Sequence, residues 1–242
     1  MKTRTGKNGT GRYYVVDETS GLALPSVTTI ISETSDKSGL IEWQKRVGVA
    51  EAERISKFSA NRGTFMHALH EHYLDCKFIE NLENSLQEAF KRSLADCPSL
   101  TKEEIECGKD LFLNFHNNSN FYDDIGEVIF QEVPVWSLKG GGYAGRLDLA
   151  IRSKAFVPKI IDFKTSKKPK KKEWIEGYLK QISAYSVAMF ERYGIFPEQC
   201  EIWISCETGD VQTFILDKEE IKYWFNEFHK CVKKYHELHP QN

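Results

Sequence analysis

Two apolar, β-branched runs of this chain each carry an aspartate: Asp148 in "GYAGRLDLAIR" and Asp162 in "FVPKIIDFKTS", with Lys164 two residues further on. A carboxylate pointing into a core is costly unless it is paired or holds a metal. The runs therefore restrict the fold to one that gathers the ends of adjacent strands around a cation. Residues two apart on a strand share a face, which puts Asp162 with Lys164 and turns Phe163 the other way. Taken alone, an Asp-x-Lys triplet is read as a salt bridge as readily as a site. Glu132, in the preceding run "EVIFQEVPVWS", changes that balance by offering a third carboxylate. Three such oxygen donors suit Mg2+ or Mn2+. An adjacent ammonium would stabilise charge developing on a phosphate, so phosphodiester hydrolysis is the reaction this set would serve.

The periodicity around these runs predicts a mixed α/β chain forming a single domain over 1–242. "RYYVVDETSGLALPSV" reads as two short strands about a Ser-Gly turn. A helix is expected from about Ser38 to Ala50, then another in "ANRGTFMHALHEHYL", where Phe65, Ala68, Leu69 and Tyr73 recur at helical spacing and His67 sits among them. Two helices between Asn81 and Asn120, broken near Pro98, are read as a helical insertion outside the sheet. The three carboxylate-bearing runs predict an antiparallel meander turning at Gly140–Gly142. "EWIEGYLKQISAYSVAMFERYG" predicts a helix ended by Gly194, "CEIWIS" and "VQTFIL" a hairpin, and Lys218–His236 a last helix. The basic start, residues 1–11, is expected to be a mobile tail.

Charge and cysteine usage narrow the setting. A formal net charge of −2 provides no global field for a polyanion, leaving that task to local clusters such as Lys167, Lys168, Lys170, Lys171 and Lys172. Six scattered cysteines without a C-x-x-C pair fit reduced thiols rather than a zinc site or disulfide framework. No apolar run is long enough to cross a bilayer and no secretory signal opens the chain, so a cytoplasmic protein of a bacterium or a phage-infected host is expected.

"RGTFMHALHE", "GYAGRLDLAI", "IIDFKTS" and "LKQISAYSVAM" together resemble the PD-(D/E)XK nuclease superfamily and its RecB-like branch. The pattern of that branch is a helix His, a strand Asp, an Asp-x-Lys strand and a Gln-x-x-x-Tyr helix. "LPSVTTIISET" followed by "LIEWQKRVG" is further similar to the group around the mitochondrial genome maintenance exonuclease and its phage and bacterial relatives. The resemblance implies a restriction-endonuclease-like core, a central mixed sheet flanked by helices. It also implies Asp148, Asp162, Lys164, Gln181 and Tyr185 as the catalytic set. His67, Asp148, Asp162 and the main-chain carbonyl of Phe163 would ligate Mg2+ or Mn2+, with Glu132 direct or through water. The cysteines do not follow the layout that holds an iron-sulfur cluster in some relatives, so no cluster is expected.

Arg62, Arg146, Thr165, Ser166, Lys167 and Lys168 are the candidate DNA contacts, the last two as screens for the backbone. The implied activity is a DNA exonuclease of replication, recombination or repair that prefers single strands with a free end. Such strands would thread a helical arch built from the 81–120 helices and the helix holding Arg62. A lambda-type double-strand exonuclease and an inactive DNA-binding module on the same fold are the alternatives. No membrane is implied, and nothing in the sequence names a protein partner.

Overall fold

The computed structural model describes residues 1–6 and 11–240. It opens with a three-stranded antiparallel sheet of β1 (Thr3–Thr5), β2 (Arg12–Asp17) and β3 (Leu22–Pro25). Part of the expected tail thus forms a strand, because Thr3–Thr5 finds the open edge of β2 and pairs Arg4 with Tyr13. Residues 7–10 of that tail lie outside the described residues.

The helices follow as α1 (Val27–Thr34), α2 (Ser38–Val47), α3 (Val49–Leu74), α4 (Ser85–Asp96), α5 (Lys102–Asn118) and the short α6 (Phe121–Asp124). Ser26 caps α1 by accepting from the Thr29 amide, and Thr101 with Glu104 forms a reciprocal capping box on α5. The helix expected from Ser38 stops at Val47, where Gly48 at φ +87° turns the chain into α3.

The main sheet is built from β4 (Ile125–Ser137), β5 (Tyr143–Ser153), β6 (Pro158–Ser166), β7 (Gln199–Cys206) and β8 (Val211–Leu216), in that spatial order. β4, β5 and β6 form the expected antiparallel meander. β6 and β7 are parallel, which requires the crossover that α7 (Glu176–Tyr193) provides. Gly194 ends α7 in the left-handed conformation at φ +71°. The β7–β8 hairpin and α8 (Lys218–Leu238) complete the chain.

Each face of the sheet carries its own core. On one side Leu147, Ile160 and Ile202 pack with Val27 and Ile30 of α1, Ile182 of α7 and Phe228 of α8. On the other, Leu149, Ile161 and Phe163 pack with Phe65 and Leu69 of α3 and Phe112 and Phe115 of α5. The chain between α1 and α3 therefore crosses from one face to the other. α2 makes that crossing with no buried residue, and its Leu40 and Ile41 are half exposed.

The helices between Asn81 and Asn120 do not stand off as an arch. Ala89, Leu111, Phe112 and Phe115 are buried against α3 and the sheet, an apolar face that an arch would leave in water. α5 lies so close to α3 that a Cβ on Gly108 would fall 2.6 Å from the Arg62 carbonyl. The segment bridging the two faces is α2 with the start of α3.

Candidate active site

β5 and β6 are hydrogen-bonded from Arg152↔Pro158 up to Leu149↔Ile161, and beyond that pair they separate. Asp148 and Asp162 are the first residues past the fork. The alternation of β5 breaks at the same place, since Leu147 faces the α7-side core and Leu149 the α3-side core. Side chains from both layers consequently reach one cleft of about 720 Å3, lined by His67, Glu71, Glu132, Arg146, Asp148, Phe163, Lys164, Tyr178, Gln181 and Tyr185, among others.

His67, on α3, places its Nδ1 3.6 Å from Asp148 Oδ2 and its ring edge-on to Phe163, with ring centroids 6.3 Å apart. Burial depresses its pKa, against the pull of Asp148, so the ring is neutral and able to ligate at pH 7. Glu132 lies across from Asp148, between the pairs Gln131↔Leu149 and Val133↔Leu147. Its backbone is left-handed, φ +46°, which costs a non-glycine residue roughly 1–2 kcal/mol. Burial, reinforced by Asp148, pushes its carboxyl up to about 8.

One ligand atom from each of His67, Glu132 and Asp148 lies within 4.8 Å of the others. A neutral imidazole and desolvated carboxylates that repel one another are what a hard divalent cation would relieve, so these residues fit Mg2+ or Mn2+. Asp162 stands beside that trio rather than in it. It is 1 % exposed, pairs with Lys164 and accepts from Gln181 Nε2 at 3.3 Å on Oδ1.

Burial raises the Asp162 carboxyl to about 7 even with Lys164 beside it. The lysine is itself buried, yet Asp162 and Asp148 outweigh that and raise its pKa, so it remains an ammonium. Its Nζ also lies 5.2 Å from the centre of the Tyr178 ring. Gln181 and Tyr185, one helical turn apart on α7, face the cleft together, with Gln181 Nε2 donating to Tyr185 Oη at 3.3 Å. Burial raises the Tyr185 phenol, so it stays protonated.

The candidate DNA contacts divide. Arg146 and Thr165 line the cleft. Lys167 and Lys168 are exposed just past the end of β6 and do not line it. Ser166 is buried and donates to the Lys168 carbonyl at 2.7 Å, so it closes a turn rather than meeting a phosphate. Arg62 is 4 % exposed and paired with Glu207, with Cys107 at 3.9 Å. It faces α5 and the β7–β8 turn, away from the cleft, because its position on α3 is on the packed side.

Glu71 and Tyr178 also belong to the cleft lining. Both were signalled by spacing, Glu71 four residues after His67 and Tyr178 three before Gln181. Arg12, Tyr14 and Thr28, also in the cleft lining, carry no such local signal.

A model of the PD-(D/E)XK nuclease superfamily matches residues 42–240. No curated protein matches the chain. Among solved structures, a protein from Eubacterium rectale whose exonuclease designation is provisional is similar at 15 % identity and TM-score 0.45, over 70 % of this chain and 66 % of that one. The chain thus spans just under two thirds of that protein's length. LHK-Exo, solved in complex with dAMP, is similar at 12 % identity and TM-score 0.35, over 74 % of this chain and 88 % of that one. The family match runs from α2 through α8 and takes in His67, Glu132, Asp148, Asp162, Lys164, Gln181 and Tyr185 alike, and by it the chain belongs to the PD-(D/E)XK nuclease superfamily.

Proposed function

We propose that the chain is a metal-dependent DNA exonuclease that cuts phosphodiester bonds of single strands carrying a free end. The observation that carries this reading is the fork between β5 and β6, where His67, Glu132 and Asp148 converge beside the Asp162–Lys164 pair in one open cleft. His67, Asp148 and Glu132, with Asp162 and the Phe163 carbonyl adjacent, would hold a divalent ion, which would supply Lewis acidity and neutralise phosphate charge.

The chain's own groups do the rest. Lys164 is positioned by Asp162 to donate to the attacked phosphate or to orient the attacking water, and its charge is worth most where negative charge develops. Gln181 holds Asp162 and Tyr185, and Tyr185 offers a phenolic proton to a phosphate oxygen. Thr165 and the exposed Lys167 and Lys168 lie along the exit of β6, where a backbone leaving the cleft would pass.

Preference for a single strand with an end rests on α2. This exposed helix links α1 on one face of the sheet to α3 on the other, and residues of both α1 and α3 line the cleft. In this reading a single strand would pass beneath the link, entering by its end, and a duplex would not. Strands of this kind arise in DNA replication, recombination and repair.

The test is a comparison of linear single-stranded, circular single-stranded and blunt duplex DNA of equal length with Mn2+ present. Linear single strands should be degraded from an end and circles spared. Rapid cutting of the circle would mark an endonuclease, and faster digestion of the duplex a double-strand exonuclease.

A further inference from the structure

Arg146 lies two residues before Asp148 on β5, diagonal to Glu132 on β4, and its guanidinium is already engaged. Its Nε is 2.9 Å from the Glu132 main-chain carbonyl and 2.9 Å from Glu132 Oε2. One arginine thus grips both the peptide and the carboxylate of the residue at φ +46°. A left-handed residue inside a strand persists only where its surroundings over-determine it. Here the surroundings are a strand pair on each side, Gln131↔Leu149 and Val133↔Leu147, and this arginine.

We infer that Arg146 is a positioning residue: it holds the left-handed turn at Glu132 so that the carboxylate stays aimed at His67 and Asp148, and it acts on the divalent ion only through Glu132. This rests on the reading of the cleft as a metal-dependent nuclease site. The alternative role, a phosphate contact, is suggested by the exposure of Arg146, whose side chain is 59 % accessible. Against it, the Nε of Arg146 is already engaged by the Glu132 carbonyl and carboxyl group, with which a phosphate would have to compete. Outer partners that orient metal ligands are commonly worth a factor of about 10–100 in metal affinity, enough for this role to be measured directly.

The experiment is calorimetric titration of Mn2+ into the full chain without DNA, for the parent, Arg146→Gln, Glu132→Gln and the double variant, with circular dichroism to verify folding. Arg146→Lys, which keeps the charge and can still donate to Glu132, is included as the conservative variant. DNA affinity is measured separately in Ca2+ at several salt concentrations.

Arg146→Gln should bind Mn2+ about tenfold more weakly, Arg146→Lys should recover part of that loss, and the double variant should be no worse than Glu132→Gln alone, as for two residues acting in one chain of contacts. DNA affinity and its salt slope should be unchanged. Additive losses in the double variant, or intact Mn2+ affinity in Arg146→Gln, would overturn the inference while leaving the nuclease reading standing. A flatter salt slope in Arg146→Gln would assign the residue to phosphate instead. Failure of the parent to bind Mn2+ would remove both readings together.

Discussion

Asp148 Oδ2 accepts a hydrogen bond from the Phe163 amide at 2.9 Å, so a side chain of β5 takes over where the backbone ladder to β6 has stopped. The strands can part by the width of a carboxylate without leaving that amide unpaired toward β5. The same bond fixes one oxygen of Asp148 beside His67 and leaves the other free. Opening the sheet and building the site are one structural event.

Lys164 should matter to turnover far more than to binding. Its ammonium is pinned by Asp162 inside the cleft, where on the proposed reading it would meet the reacting phosphate and little of the remaining backbone. Lys164→Ala should lower kcat by roughly 100-fold or more, the scale for losing one preorganised charge donor. DNA affinity measured in Ca2+ should stay within about threefold. Loss of affinity with turnover retained would make Lys164 part of the binding surface.

The metal-free chain should lose stability as pH rises. Glu132 titrates near 8 in the folded protein and near the ordinary glutamate value when unfolded, so between those values the folded state binds the extra proton. Stability therefore falls through that window, the loss being complete above about 8. Asp162, raised to about 7, adds in the same direction. Melting curves in EDTA from pH 5 to 8.5 should show a declining Tm, less steep in Glu132→Gln. Mn2+ at pH 8 should restore the parent's Tm and not the variant's to the same extent.

What the sequence disclosed follows from how far apart the interacting residues are. Asp162 with Lys164 is set by the strand period and the meander by its glycine turn, so these could be read locally, whereas the spacing of Gln181 and Tyr185 alone does not separate them from core and their place came from the family resemblance. Arg62 could not be read locally. Its charge looked available until α3 packed on α5 and brought Glu207 from the β7–β8 turn against it. Ser166 likewise looked like a phosphate donor because the turn it closes with Lys168 is a tertiary fact. The crossing made by α2 was hidden for the same reason: its amphipathic pattern does not say which faces of the sheet its neighbours will choose.

Arg62→Ala should accordingly act on stability rather than on DNA. Breaking a buried ion pair typically costs about 3–5 kcal/mol, and since Glu207 keeps 35 % exposure and can be partly rehydrated, about 2 kcal/mol is expected. Urea unfolding should report that loss with an unchanged m-value. The salt slope of DNA binding should match the parent's, whereas a slope reduced by about one would restore Arg62 to the DNA contacts.

Gly145 should prove as important to the site as the charged residues, by its lack of a side chain. A Cβ there would fall 2.3 Å from Cε1 and 2.8 Å from Oη of Tyr185, contacts that atoms do not tolerate. The ring is only 3 % exposed and cannot swing into solvent. Gly145→Ala must therefore shift either β5, and Asp148 three residues along it, or Tyr185, and with it the Gln181 amide that holds Asp162. Overpacking of this kind costs about 1–3 kcal/mol, and displacement of catalytic groups by even an ångström can cost on the order of 100-fold in rate. Placed on a Tyr185→Ala background, the same substitution meets empty space, so its stability cost should largely vanish. Equal costs in the two backgrounds would mean that the close approach of strand and ring is not what reserves position 145 for glycine.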